Sequence, residues 1–210
     1  MRKIGVIPLA VIAAVFALVA TGCGAERAVE PSAKAAASKP TCTARALAGW
    51  RKLAKRIHAP VYCPSWMPDP LDGVIGGRWN TINSVSKDRS YLIGFIWQEF
   101  GSGELHVNLR GYPGRTPIPT CIDVNTVNGV THRTKIACFA DPNGHRRVAG
   151  IDATVYTANQ DADRWHVLYA WRHNGSLYAL SEHVAAPLNY RKVVANLDRM
   201  LRSLVLVRPS

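Results

Sequence analysis

Arg164-Trp165-His166-Val167-Leu168-Tyr169-Ala170-Trp171-Arg172-His173, then Asn174-Gly175, then Ser176-Leu177-Tyr178-Ala179-Leu180-Ser181-Glu182-His183-Val184, reads as two strands joined by a tight turn. Asn-Gly is the pair that a two-residue type I′ turn prefers, because both of its positions need positive φ. Such a turn sets the register. His173 falls opposite Ser176, Trp171 opposite Tyr178, Tyr169 opposite Leu180 and Trp165 opposite Val184. That face is aromatic and apolar and is expected to be core. The other face carries Ala170 opposite Ala179, Leu168 opposite Ser181, and His166 opposite His183. It is expected to be the outer face, with both histidines at or near solvent.

Further strands are predicted upstream. Arg78 to Ser86 and Tyr91 to Phe100 flank the turn-prone Lys87-Asp88-Arg89, and Gly101-Ser102-Gly103 leads into Glu104 to Arg110. Gly111 to Pro119 reads as an irregular loop. Cys121 to Val127 meets Asn128-Gly129, a second hairpin signal, before Val130 to Phe139. Asp141-Pro142-Asn143-Gly144 reads as a turn, and Arg146 to Tyr156 as one strand.

Helical spacing bounds the strands. Leu47, Trp50, Leu53, Ala54 and Ile57 recur at steps of three and four within Cys42 to His58, with Arg45, Lys52 and Arg56 on the opposite side. A basic amphipathic helix can lie on a membrane, but an apolar stripe of this width is expected to dock on a core. Pro60 to Pro70, with four prolines, reads as irregular. Near the end, Asn189 is positioned to cap a helix whose stripe is Tyr190, Val193, Leu197, Met200, Leu201 and Leu204. The expected fold is α+β: an N-terminal helix, a curved antiparallel meander of about 6–8 strands, and a C-terminal helix packed on the sheet.

The beginning of the chain is of another kind. Arg2 and Lys3 precede an uncharged apolar run from Ile4 to Ala20 of about 17 residues, at the short edge of a bilayer span. Thr21-Gly22-Cys23 follows. Leu18-Val19-Ala20-Thr21-Gly22-Cys23 resembles the lipobox of a bacterial lipoprotein. That resemblance implies cleavage before Cys23, a diacylglyceryl group on its thiol, and a cell-membrane, extracytoplasmic location. Two acyl chains hold stably where one binds reversibly. Residues 1–22 are then a signal peptide and 23–41 a lipidated tether, Ala- and Ser-rich, reaching roughly 20 Å as a coil. Residues 42–210 form a single extracytoplasmic domain.

Charge and cysteines fit that setting. The chain has 26 Lys+Arg and 14 Asp+Glu; Arg2 and Lys3 are the only charges before Cys23, so the part after cleavage carries 24 against 14, or +10. Such a surface attracts anionic lipid headgroups, teichoic-type envelope polymers or acidic glycans; a partner protein is the other expected contact, and nucleic acid is not expected. The alternative is a charge that serves solubility alone. With Cys23 assigned to lipid, Cys42, Cys63, Cys121 and Cys138 remain for an oxidising compartment. Of three connectivities, Cys42–Cys63 with Cys121–Cys138 is expected because each closes a local loop. A strict two-residue turn at Asn128-Gly129 sets Cys121 opposite Ile136, so a bulge or a wider turn is expected to bring Cys138 within reach.

A second resemblance covers about residues 60–206. Tyr62-x-Pro64-Ser65-Trp66-Met67-Pro68, together with Trp171-x-x-Asn174-Gly175-x-x-Tyr178-x-x-Ser181 and the closing Leu201-Arg202-Ser203-Leu204, is similar to an extracytoplasmic domain of unknown function. That domain occurs in anti-sigma-type membrane proteins and Gram-positive lipoproteins. The cysteines and the basic first helix depart from its pattern, and no sigma-factor binding is implied.

Catalytic motifs do not assemble. Ser84-Val85-Ser86-Lys87 matches S-x-x-K but lacks its S-D-N and K-T-G partners. Asn159-x-Asp161-x-Asp163 begins like a calcium loop, yet Arg164 replaces the required glycine and Ala170 the closing carboxylate. Opposed His166 and His183 are the surviving constellation: a metal-ligand pair or pH switch, set against an incidental surface pair. No third ligand is evident, and no metal or other cofactor is expected. Six tryptophans (50, 66, 79, 97, 165 and 171) can stack on sugars, but core packing is the simpler role. The expected function is that of a monomeric, non-enzymatic, lipid-anchored binding or interaction domain. Alternatives are a carrier of an apolar ligand between sheet and helix and, last, an envelope hydrolase.

Overall fold

A computed structural model of the chain describes residues 40–68, 85–97, 105–158 and 165–210. The apolar start, Cys23, the tether, the strand expected at 78–86 and the calcium-like turn fall wholly or largely outside these residues.

Helix α1, Ala44–Ile57, begins where Thr43 Oγ1 accepts the Ala46 N–H at 3.3 Å. It ends at His58, whose left-handed φ of 52° stops the helix. Ala46, Trp50, Leu53, Ala54 and Ile57 are buried, while Arg45, Arg51, Lys52, Lys55 and Arg56 are exposed. Strand β1, Val61–Pro64, follows directly. The segment expected to be irregular is thus extended in part, and its partner is β10, Leu204–Val207, paired from Val61↔Val207 to Pro64↔Leu204. A two-stranded ladder tolerates Pro64 at its end. Helix α2, Tyr190–Ser203, therefore stops one residue earlier than expected, and Leu204 opens a strand. Asn189 caps α2, its Oδ1 accepting the Lys192 N–H at 3.0 Å. Tyr190, expected in the stripe, is about half exposed, and Asn196 is buried instead.

The main sheet is antiparallel. It contains β2 (Tyr91–Trp97), β3 (Leu105–Tyr112), β6 (Pro142–Val148), β7 (Ile151–Ala158), β8 (His166–His173) and β9 (Ser176–His183), in the order β2-β3-β9-β8-β7-β6. It is not one meander. A β2–β3 hairpin and a β6–β9 meander meet at a single non-local ladder, from Val107↔Glu182 to Tyr112↔Leu177. The strand expected at 146–156 is two strands, turned at Ala149 (φ 50°) and Gly150 (φ 80°). The Asp141–Gly144 turn is mostly a bulge in β6, between Pro142 and Gly144. At Ser86, expected in a strand, the backbone turns, its carbonyl accepting the Arg89 N–H at 2.8 Å.

One face of this sheet packs on both helices. Phe95, Ile93, Val107, Leu109, Val167, Tyr169, Trp171, Tyr178 and Leu180 join Trp50, Leu53, Ile57, Met67, Val193, Leu197 and Met200 in one buried cluster. Tyr62 stands edge-on to Trp171 and Tyr178, at 5.3 and 4.9 Å between centroids. Tyr91 also packs over Gly111, its cross-strand partner, where a Cβ would fall 2.6 Å from the ring Cζ. Only glycine fits there.

The opposite face is also buried, contrary to expectation. Tyr112, Tyr156, Ala158, Leu168, Ala170, Leu177 and Ala179 pack with Cys138 and Phe139, and Ile118 and Cys121 join them. The chain leaves the sheet after β3, forms β4 (Thr120–Val127) and β5 (Val130–Ala137), and lays the two ends of that excursion on the second face. Most of the β4–β5 hairpin itself is exposed on both sides.

Both expected disulfides are present, Cys42–Cys63 and Cys121–Cys138. The β4–β5 register has Cys121 opposite Ile136 and runs unbroken from Val127↔Val130 to Thr120↔Ala137. Neither a bulge nor a wider turn is used. The chain bends just past Ala137, and Cys138 lies 4.8 Å from Cys121 between Cα atoms.

Candidate functional site

The Asn174-Gly175 turn has the two-residue form, with φ of 46° and 70°. It pairs His166 on β8 with His183 on β9. The β3–β9 ladder ends at Val107↔Glu182, so His106 lies one step beyond, beside His183. Three imidazoles thus form a row across the neighbouring strands β3, β9 and β8, all on the second face. Their ring centroids are 4.5 Å (His106–His166), 5.0 Å (His106–His183) and 5.3 Å (His166–His183) apart. One ring nitrogen from each lies within 4.8 Å of the others, and among the described residues this is the one group of three His, Cys, Asp or Glu so disposed.

The row has a closed side and an open one. His166 is fully buried, with Ala158 opposite it on β7, while His106 and His183 are half-buried. Its burial departs from the solvent-facing position expected of the pair. His106, brought in by β3, packs on its ring at 4.5 Å, a contact that a hairpin read by itself does not show. His166 Nδ1 is 3.0 Å from Ser181 Oγ. Ser181 in turn is paired with Asn108 across the β3–β9 ladder, and both are buried. If the Ser181 hydroxyl accepts from Nδ1–H, the ring keeps its lone pair on Nε2.

Glu182, the next residue, points to the helix side. It is 2% exposed, and its Oε1 accepts from Asn196 Nδ2 of α2 at 2.8 Å. Burial pushes its carboxyl up to about 8, against the partial relief of the Asn196 hydrogen bond. Burial thus favours its uncharged form. Tyr169 on the same side donates to Asp198 Oδ1 at 2.9 Å, with Arg146 3.6 Å from that carboxylate. These groups tie α2 to the sheet.

Sequence reading found two members of the row and missed the third. The alternation of Leu105, Val107 and Leu109 with His106, Asn108 and Arg110 does assign His106 to the polar face of its strand. What the sequence does not display is that β3 pairs with β9. Trp165, expected in the core, has φ 60° and is 64% exposed, although its carbonyl still accepts the Val184 N–H at 2.8 Å. The left-handed backbone turns its ring outward. Trp50 and Trp171 are core, as the packing reading requires, and Trp66 is partly buried beneath the Arg199 guanidinium at 4.1 Å. No protein family profile, curated protein or solved structure matches this chain.

Proposed function

We propose that this protein is an envelope binding protein: a domain held by a lipid on Cys23 at the extracytoplasmic side of the cell membrane, receiving its ligand at the end of the sheet where His106, His166 and His183 converge. The observation that carries this reading is that convergence. Two imidazoles of one hairpin meet a third from a strand distant in sequence, beside a half-open surface with a buried hydroxyl behind them. Two disulfides support an oxidising compartment, and no helix among the described residues is long and apolar enough to cross a membrane. The exposed cations of α1 support attraction to anionic envelope polymer or headgroups. Binding at a surface is favoured over carriage of an apolar ligand between sheet and helix, since Trp50, Tyr169, Tyr178, Phe95, Leu53 and Met67 fill that space.

Fractionation tests the anchor. Wild type should partition with membranes and detergent, and Cys23→Ser should leave a soluble or signal-bearing form. Unchanged detergent partitioning of the variant counts against lipidation. Native mass spectrometry of the membrane-extracted protein then reads what remains bound.

A further inference from the structure

We infer that His106, His166 and His183 form a binding site for a divalent transition-metal ion of the zinc or copper class. This rests on the row being the ligand-receiving site, and is independent of the lipid anchor. The donor set argues the class. Three neutral imidazoles suit zinc, copper or nickel, whereas calcium and magnesium require oxygen ligands, and the cluster contains none. The geometry argues feasibility. Tetrahedral ligation at zinc–nitrogen distances near 2.0–2.1 Å places ligand nitrogens about 3.3 Å apart. The separations here reach 4.8 Å, so small rotations of the two half-buried rings bring the donors together on a fixed third.

His166 supplies the fixed point. It is fully buried, its β8 position is locked by ladders to β7 and β9, and Ser181 holds Nδ1. A hydrogen bond of this kind on the non-ligating nitrogen orients a metal-bound imidazole and sets its tautomer. Nε2 is then the ligating atom of His166. His106 and His183 close from the exposed side, which leaves a fourth position for water or an incoming ligand.

The full chain, purified in detergent and stripped with a chelator, is titrated with Zn²⁺ and with Co²⁺ as a spectroscopic substitute. Zn²⁺ should raise the melting temperature progressively with its concentration, Co²⁺ should give visible ligand-field bands, and Ca²⁺ and Mg²⁺ should do neither. His106→Gln and His183→Gln, both at half-buried positions, should abolish the bands. His145→Gln, on the exposed edge strand β6, should keep them. Ser181→Ala should weaken Zn²⁺ binding by about 10- to 100-fold. A measurement on wild type guards against misfolded variants: of the seven histidines, nitrogen-15 imidazole signals of three should move together on adding Zn²⁺. Absence of any Zn²⁺-dependent change, or changes that persist in both His106→Gln and His183→Gln, or movement confined to other histidines, would each overturn the proposal. Membrane release of Cys23→Ser is read separately, so the anchor and the metal site stand or fall apart.

Discussion

Glu182 shows how one side chain sets a pH dependence. Its carboxyl is raised from the ordinary value of 4.5 to about 8 in the folded chain. The folded state therefore holds this proton more tightly than the unfolded state does. The resulting stability is fully present below about pH 4.5 and is lost as pH rises through about 8. With chelator present, urea midpoints of wild type should fall between pH 5 and 8 relative to those of Glu182→Gln, which keeps an acceptor for Asn196 and cannot ionise. Parallel curves for the two proteins would contradict that assignment. At this scale the sequence was partly legible. The Asn174-Gly175 turn gave the His166–His183 pairing directly, because a two-residue turn counts register outward by itself. It gave no access to burial, which depends on what another part of the chain places over that face. Trp165 was misplaced for a related reason, since a left-handed residue just before a strand breaks the alternation on which the face was assigned.

Among the elements, the β4–β5 hairpin is the least supported by packing. Ile122, Val124, Val127 and Val130 are each about half exposed, and what joins the hairpin to the second core is its base, where Cys121 bonds Cys138 beside Phe139. Removing the crosslink with Cys121→Ser and Cys138→Ser together should lower global stability by up to about 3 kcal/mol on the loop-entropy estimate. The local effect should be larger than the global one. Trypsin cleavage after Arg133 and Lys135 should accelerate well before the midpoint of urea unfolding changes in proportion. An unaltered cleavage pattern would show that the ladder alone holds the hairpin. Elements with strong local signals were readable: α1 from its apolar spacing, α2 with its Asn189 cap, and all four expected hairpin strands around the two Asn-Gly turns. The β1–β10 ladder was not. Its strands are four residues each and 143 positions apart at their starts, too short for periodicity to register and too distant for any turn to announce them.

Across the whole molecule, the main sheet is two locally wound pieces with one joint. The α+β class followed from helical and alternating patterns, which depend on neighbours in sequence. Strand order did not, because the β3–β9 ladder joins residues separated by the entire β4–β8 region. That joint has a kinetic meaning. The β6–β9 meander is made of consecutive hairpins and closes short loops, whereas β3 must find β9 across a long one, which is slower. Pulse-labelled hydrogen exchange during refolding with disulfides intact should show β7, β8 and β9 amides protected before those of β2 and β3; simultaneous protection would refute this order. His166 and His183 belong to the early piece and His106 to the late one. The imidazole triad is therefore a certificate that this joint has closed, absent from any form in which β3 has not met β9, and an ion that needs all three donors is captured only after that docking.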